Sequence, residues 1–172
     1  MTFGELKTLF ESYTGIADDV DNAQLALWFN EALLDLAYDL GPVESAEISA
    51  ADNDYCPGEH WLSLVACDIP YTRLPDGKLR FGSGSGKIYY RAAPQAFNGI
   101  DHDQEGALPK AAHYLPALFA AARYWDTESE GDGEESNQAA KWLSYYYQGK
   151  NLARARSLAG QSQIGAWRVE EK

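Results

Sequence analysis

The sequence predicts an α+β fold, predominantly helical: a bundle of about four helices with a small antiparallel β-subdomain inserted between the second and third helices. Three observations predict it. Apolar residues recur at helical spacing before residue 42 and again after residue 107. Between Val43 and Pro94 the apolar period drops to two, and glycine and proline punctuate the chain. A content of 45 % hydrophobic and 13 % aromatic residues over 172 positions can build one ordinary core. The expected division is a helical domain from 1–42 and 95–158, an inserted β-subdomain at 43–94, and a flexible tail at 159–172.

Phe3 to Tyr13 reads as a short amphipathic helix ending near Thr14-Gly15. Asp18, Asp19 and Asp21 then offer N-cap candidates and negative charge where a helix dipole favours it. The strongest helical stripe follows: Leu25, Trp28, Phe29, Ala32, Leu33, Leu36, Ala37 and Leu40, stopped by Gly41-Pro42. Leu27, Leu34 and Tyr38 fall off that stripe and form a second apolar edge, the rim of a wide core or a face toward another subunit.

Val43 to Ser49 and His60 to Cys67 read as strands. Pro75-Asp76-Gly77 reads as a turn, because proline presets φ and glycine accepts positive φ. Lys78-Leu79-Arg80-Phe81 and Lys87 to Arg91 flank a glycine–serine loop, so a hairpin is expected with Leu79, Phe81, Ile88 and Tyr90 inward. Lys78, Arg80, Lys87, Tyr89 and Arg91 would then share its outer face. A helix is expected over Leu108 to Trp125, with Pro116 in its first turn or at a kink. An acidic loop, Asp126 to Glu135, precedes a last helix from Ser136 to Leu158. Ala139, Leu143, Tyr146 and Tyr147 are its first stripe, and Gly149 its weak point. The rest of the chain has only Ile164, Trp167 and Val169 to bury.

The net charge of −12 is unevenly spread. Residues 1–57 hold twelve acids and one base, whereas the remaining 115 hold fourteen acids and thirteen bases. Asp126 to Glu135 has six acids and no base; residues 136–158 have four bases, Lys141, Lys150, Arg154 and Arg156, and no acid. Such segregation suits contacts between copies, or a surface that repels polyanions, better than an enzyme cleft. No apolar run approaches the ~18–20 residues that span a bilayer, and the N-terminal residues lack a signal-peptide pattern, so a soluble intracellular product without a membrane partner is expected.

Motifs that carry chemistry fall short. The run Gly82 to Lys87 resembles a phosphate loop, but Phe81 and Ile88 stand where glycine and Ser/Thr are required, and no helix follows. Asp126-x-Glu128-x-Glu130-Gly131 resembles the start of a calcium loop, yet Asn137 takes the place of the bidentate glutamate. His60, His102 and His113 share no ligand spacing, and Cys56 and Cys67 are expected to be free thiols. A small metal-dependent hydrolase using His60, Asp101, His102 and Asp103 is the rival enzyme reading. No catalytic residue, metal site or cofactor is assigned, and the chain is expected not to be an enzyme.

Three segments in order carry a resemblance: Leu27-Trp28-Phe29-Asn30-Glu31-Ala32-Leu33, then Tyr89-Tyr90-Arg91-Ala92-Ala93-Pro94 after a β-rich insert, then Leu108-Pro109-Lys110-Ala111-Ala112-His113-Tyr114-Leu115 opening an alanine-rich helix. Over residues 3–157 this order resembles the head-to-tail adaptor (head-completion, or neck connector) proteins of tailed bacteriophages. The resemblance implies a virion structural protein at the head–tail interface, made in the host cytoplasm. Such proteins form a closed ring of about twelve copies under the portal, extend the DNA channel and offer a surface to the next neck or tail-completion component. Their last helix and tail dock against the portal.

For a ring, acidic residues 1–57 of one copy would meet a basic surface of the next, with Leu27, Leu34, Tyr38, Lys78, Arg80, Lys87 and Arg91 between subunits. Excess acid along the channel would let double-stranded DNA pass without specific binding. Portal docking falls to Lys150, Arg154, Arg156, Ile164 and Trp167, by folding on binding. A small acidic cytoplasmic protein of immunity or regulatory type, masking a basic partner, is the alternative.

Overall fold

The computed structural model describes residues 1–17, 19–49, 55, 58, 60–129 and 133–165, with side chains up to 158. Four α-helices and a small β-subdomain between the second and third make the α+β architecture. Helix α1 (Phe3–Thr14) starts at a reciprocal cap: the Thr2 hydroxyl accepts from the Glu5 amide at 3.2 Å, and the Glu5 carboxylate accepts from the Thr2 amide at 2.8 Å. It ends at Gly15, whose φ of 74° is the left-handed position that glycine adopts without strain.

Helix α2 (Asn22–Leu40) buries every residue of its expected stripe. Asp21 holds the N-cap position but makes no side-chain cap bond, and Asp18 lies outside the described residues. Leu108 does not begin the third helix. Pro109 caps a 3-10 turn, Lys110–Ala112, and α3 runs Leu115–Glu128 with Pro116 in its first turn, where the missing N–H costs nothing. The last helix, α4, is longer than expected: Gly133–Gly165, starting inside the acidic stretch and running on past residue 159, where the tail was expected to begin.

Alanine makes α3 the axis of the domain. Ala117, Ala120 and Ala121 are fully buried, and such small side chains let neighbouring helices approach closely. One core cluster gathers Phe3, Phe10, Trp28, Phe29 and Phe97 around these alanines; a second joins Leu36, Leu40, Leu115 and Tyr146. Tyr147, expected in the core stripe of α4, is exposed instead.

The β-subdomain corrects the expected hairpin. Strands β1 (Val43–Ser49), β5 (Ser85–Ala92) and β2 (Trp61–Cys67) form an antiparallel sheet in the order β1-β5-β2, while β3 (Tyr71–Arg73) and β4 (Leu79–Phe81) form a separate pair. The Pro75-Asp76-Gly77 turn, with Gly77 at φ 84°, closes β4 onto β3, and both edges of β5 are taken by β1 and β2. Leu79 and Phe81 do point inward, packing across the two sheets onto Ile48 and Ile88.

The segment after the sheet is strapped back onto α2. Asn30 donates to the Phe97 carbonyl at 2.9 Å and accepts from the Phe97 amide at 2.7 Å, imitating a strand partner for a piece of chain with none. Asn30→Ala leaves both backbone groups without these bonds, with an expected loss of about 1–3 kcal/mol. An unchanged urea midpoint for this variant would refute the role.

Candidate functional site

A cluster of polar and charged groups lies on the α2–α4 seam. Asp35 and Asp39, one turn apart on α2, face Lys150 and Arg154, one turn apart on α4. The Lys150 ammonium donates to the Asp35 carboxylate at 2.8 Å and to its backbone carbonyl at 3.2 Å. The Tyr146 phenol, only 1 % exposed as a residue, donates to the other Asp35 oxygen at 2.5 Å. Arg154 stands 3.7 Å from Asp39. Burial, then the hydrogen bond to Asp35, hold the Tyr146 phenol well above its ordinary pKa of 10.0.

Of the residues expected to dock on a portal, Lys150 and Arg154 therefore belong to this internal clamp. The Lys150 side chain is only 16 % exposed. Arg156 is exposed, the Ile164 backbone continues the helix, and Trp167 lies outside the described residues.

The expected inter-subunit set divides in the same way. Leu27, Leu34 and Tyr38 are exposed on the outer side of α2, so this edge is not a core rim. The basic residues do not form one hairpin face. The Arg91 guanidinium donates to the Gly41 carbonyl at 2.7 Å, tying β5 to the end of α2. Lys87 lies 3.7 Å from Glu47 on β1, and Lys78 3.1 Å from Asp76 in the β3–β4 turn. Arg80 sits on β4, in the other sheet from Lys87 and Arg91.

The three histidines and the two loop aspartates lie as follows in the fold. His113 donates from Nε2 to the Leu108 carbonyl at 2.7 Å and faces the Met1 amino group with Nδ1 at 3.3 Å. His102 packs edge-on against Phe3, and Asp101 accepts from the Asp103 amide at 3.0 Å. His60 stands apart from them at the start of β2. Among the described residues no three His, Cys, Asp or Glu side chains gather as a metal-holding group. Cys67 is a free thiol, and Cys56 lies outside the described residues, as do three positions of the calcium-like loop.

A groove of ≈ 470 Å³ runs between α3 and α4. Phe119, Leu143 and Tyr147 line it, and Arg123, which pairs with Glu31 at 2.9 Å and lies over the Phe119 ring, forms one wall. Among the described residues no helix is long and apolar enough to cross a membrane.

Sequence reasoning missed Asp35 and Asp39 as partners of α4. The signal was present as two acids and two bases, each pair four residues apart and each on a helix.

The clamp predicts an alkaline limit. A phenol whose pKa is raised on folding contributes stability that is intact below pH ~10 and is lost as pH climbs above it, because the unfolded chain ionises first. Tyr146→Phe should flatten the loss of unfolding free energy between pH 9 and 11.5, read by urea titration at each pH. An alkaline slope identical to the parent's would contradict this.

Compared with known proteins, the chain matches no protein-family model and no curated protein sequence.

Proposed function

We propose that this chain is a head-to-tail adaptor of a tailed-phage particle: a ring subunit that sits under the portal, extends the DNA channel and links the capsid to the next neck or tail component. The observation that carries the reading is the length of α4. It runs for 33 residues, about 50 Å at 1.5 Å per residue, against 14 in α3 and 19 in α2. Ala153 is its last buried side chain among those described, and Arg154 its last seam contact. Arg156 and Leu158 beyond them face solvent. A subunit that reaches past itself in this way suits a docking role better than a catalytic one.

Charge supports the same reading. A net of −12 keeps passing DNA from adhering, because each phosphate neutralised by a base strengthens attachment. The C-terminal part of α4 is where the basic and apolar side chains needed by a docking element are exposed.

Deleting residues 158–172 should abolish binding to the portal protein of the same genome while leaving the helical domain folded. Circular dichroism checks the fold, and native mass spectrometry of the mixture checks the complex. The intact chain is expected in a large symmetric assembly and the truncated chain outside it. A truncated chain that still joins the portal normally overturns the assignment. A compact one-to-one complex with a basic protein instead would point to the regulatory alternative.

A further inference from the structure

Two exposed apolar rows lie on different helices of the helical domain. On α2, Leu27, Leu34 and Tyr38 are 52 %, 46 % and 53 % exposed and fall on one line, facing away from the stripe that fills the core. On α4, Tyr145 and Leu152 are 45 % and 51 % exposed, with Lys141 one turn before them and Arg156 one turn after. Lys150 and Arg154 mark the side of α4 that touches α2. Tyr145, Leu152 and Arg156 lie about half a turn around the helix from those two cations, so their row points away from α2.

We propose that these rows are the two halves of one contact: the outer face of α2 in one copy seats the Tyr145–Leu152 face of α4 in the next. The idea rests on the reading above only in that copies assemble side by side, and it names the surfaces. Three features select a second copy as occupant. The apolar spacing matches, since Leu27 and Leu34 are seven residues apart, as are Tyr145 and Leu152. Seven residues make two turns, which lets one row lie along the other as in a short coiled-coil seam.

Charge also matches. Helix α2 carries Glu31, Asp35 and Asp39 and no base, while residues 136–158 carry four bases and no acid. Glu31 and Asp35 remain 40 % and 46 % exposed beside the α2 row, despite their internal partners. Pairing either row with its own kind would set acid against acid or base against base, which costs energy.

Finally, the basic strand residues that could have competed for α2 are engaged elsewhere, Lys87 with Glu47 and Arg91 with the Gly41 carbonyl. Because the two rows are different surfaces on different helices, the contact is heterologous. It propagates from copy to copy and closes only as a ring.

The test uses full-length chains carrying Leu34→Asp or Leu152→Asp, compared with the parent by sedimentation velocity over a concentration series. The parent should exceed two copies as concentration rises. Each variant alone should remain at the single-chain mass of 19.0 kDa, with its apparent Kd raised at least ~30-fold by a charge placed in the seam. An equimolar mixture should restore a two-chain species and nothing larger, because only one intact pair of surfaces is left. If Leu34→Asp fails to fold by circular dichroism, Leu27→Asp on the same row replaces it.

A parent that stays monomeric, a single variant that still dimerises, or a mixture that stays monomeric each overturns the proposal. A monomeric parent that nevertheless joins the portal through residues 158–172 sinks this interface and leaves the docking reading standing. Head-to-tail pairing without any portal binding does the reverse.

Discussion

The registration of α4 against α2 is the constraint on which the rest of the structure depends. Helix α4 lies mainly along α3, and an alanine-rich surface lets helices come close but offers low ridges to lock them along their length. Two features supply the missing lock. Gly149 leaves a notch in α4, where any side chain would collide with Leu115 and the Tyr114 hydroxyl. Asp35 then ties down Tyr146 and Lys150 at adjoining positions. The phenol is buried, so without that carboxylate its hydroxyl would lose the one side-chain partner the fold gives it. Sliding α4 by one turn would break both contacts together, and this couples the projecting end of the helix to the core.

The same clamp changes the meaning of the charge segregation. Read as a string, twelve acids against one base in residues 1–57 suggest a surface waiting for a basic partner. Folded, the three acids of α2 face cations of their own chain: Glu31 faces Arg123, Asp35 faces Lys150, and Asp39 faces Lys150 and Arg154. Part of the asymmetry is therefore an internal zipper between a helix that is all acid and one that is mostly base. What α2 keeps for a neighbour is the exposed remainder of those carboxylates beside an apolar row. Such an edge can steer an approaching surface and fix its direction, while the apolar contacts supply the binding energy.

The parts of the fold visible in the sequence are those governed by one helix or one turn. The α2 stripe was legible because its period is unbroken over four turns and Gly41-Pro42 ends it. The Pro75-Asp76-Gly77 turn was legible from its residue types alone. Strand partners were not, because alternation shows which face is buried and not which strand lies alongside. A β4–β5 hairpin is the local solution, but β4 pairs instead with the three residues of β3, too short to show a pattern. Asn30 was quoted within a motif without a role, since its work is done on backbone sixty-seven residues away. Of the docking candidates, Arg154 and Arg156 kept their exposure, while Lys150 lost its own to a partner that only the tertiary fold brings near.

A long helix that outruns its core needs a reason to persist. Isolated helices shorter than ~12–15 residues are marginal in water, so the segment beyond Ala153 gains its order by continuing a helix already nucleated and locked at Gly149 and Lys150. That arrangement holds side chains such as Leu152, Arg156 and Leu158 in fixed orientation before any partner arrives, which lowers the entropy lost on association. It also explains the division of bases along α4. Lys150 secures the helix from beneath and Arg154, at i+4, reaches Asp39 from the exposed edge of the same seam, while Arg156, two residues on, falls on the opposite side. The internal clamp and the outward row are thus consequences of one periodicity: residues four apart hold the helix to its own chain, and those half a turn around present it to another.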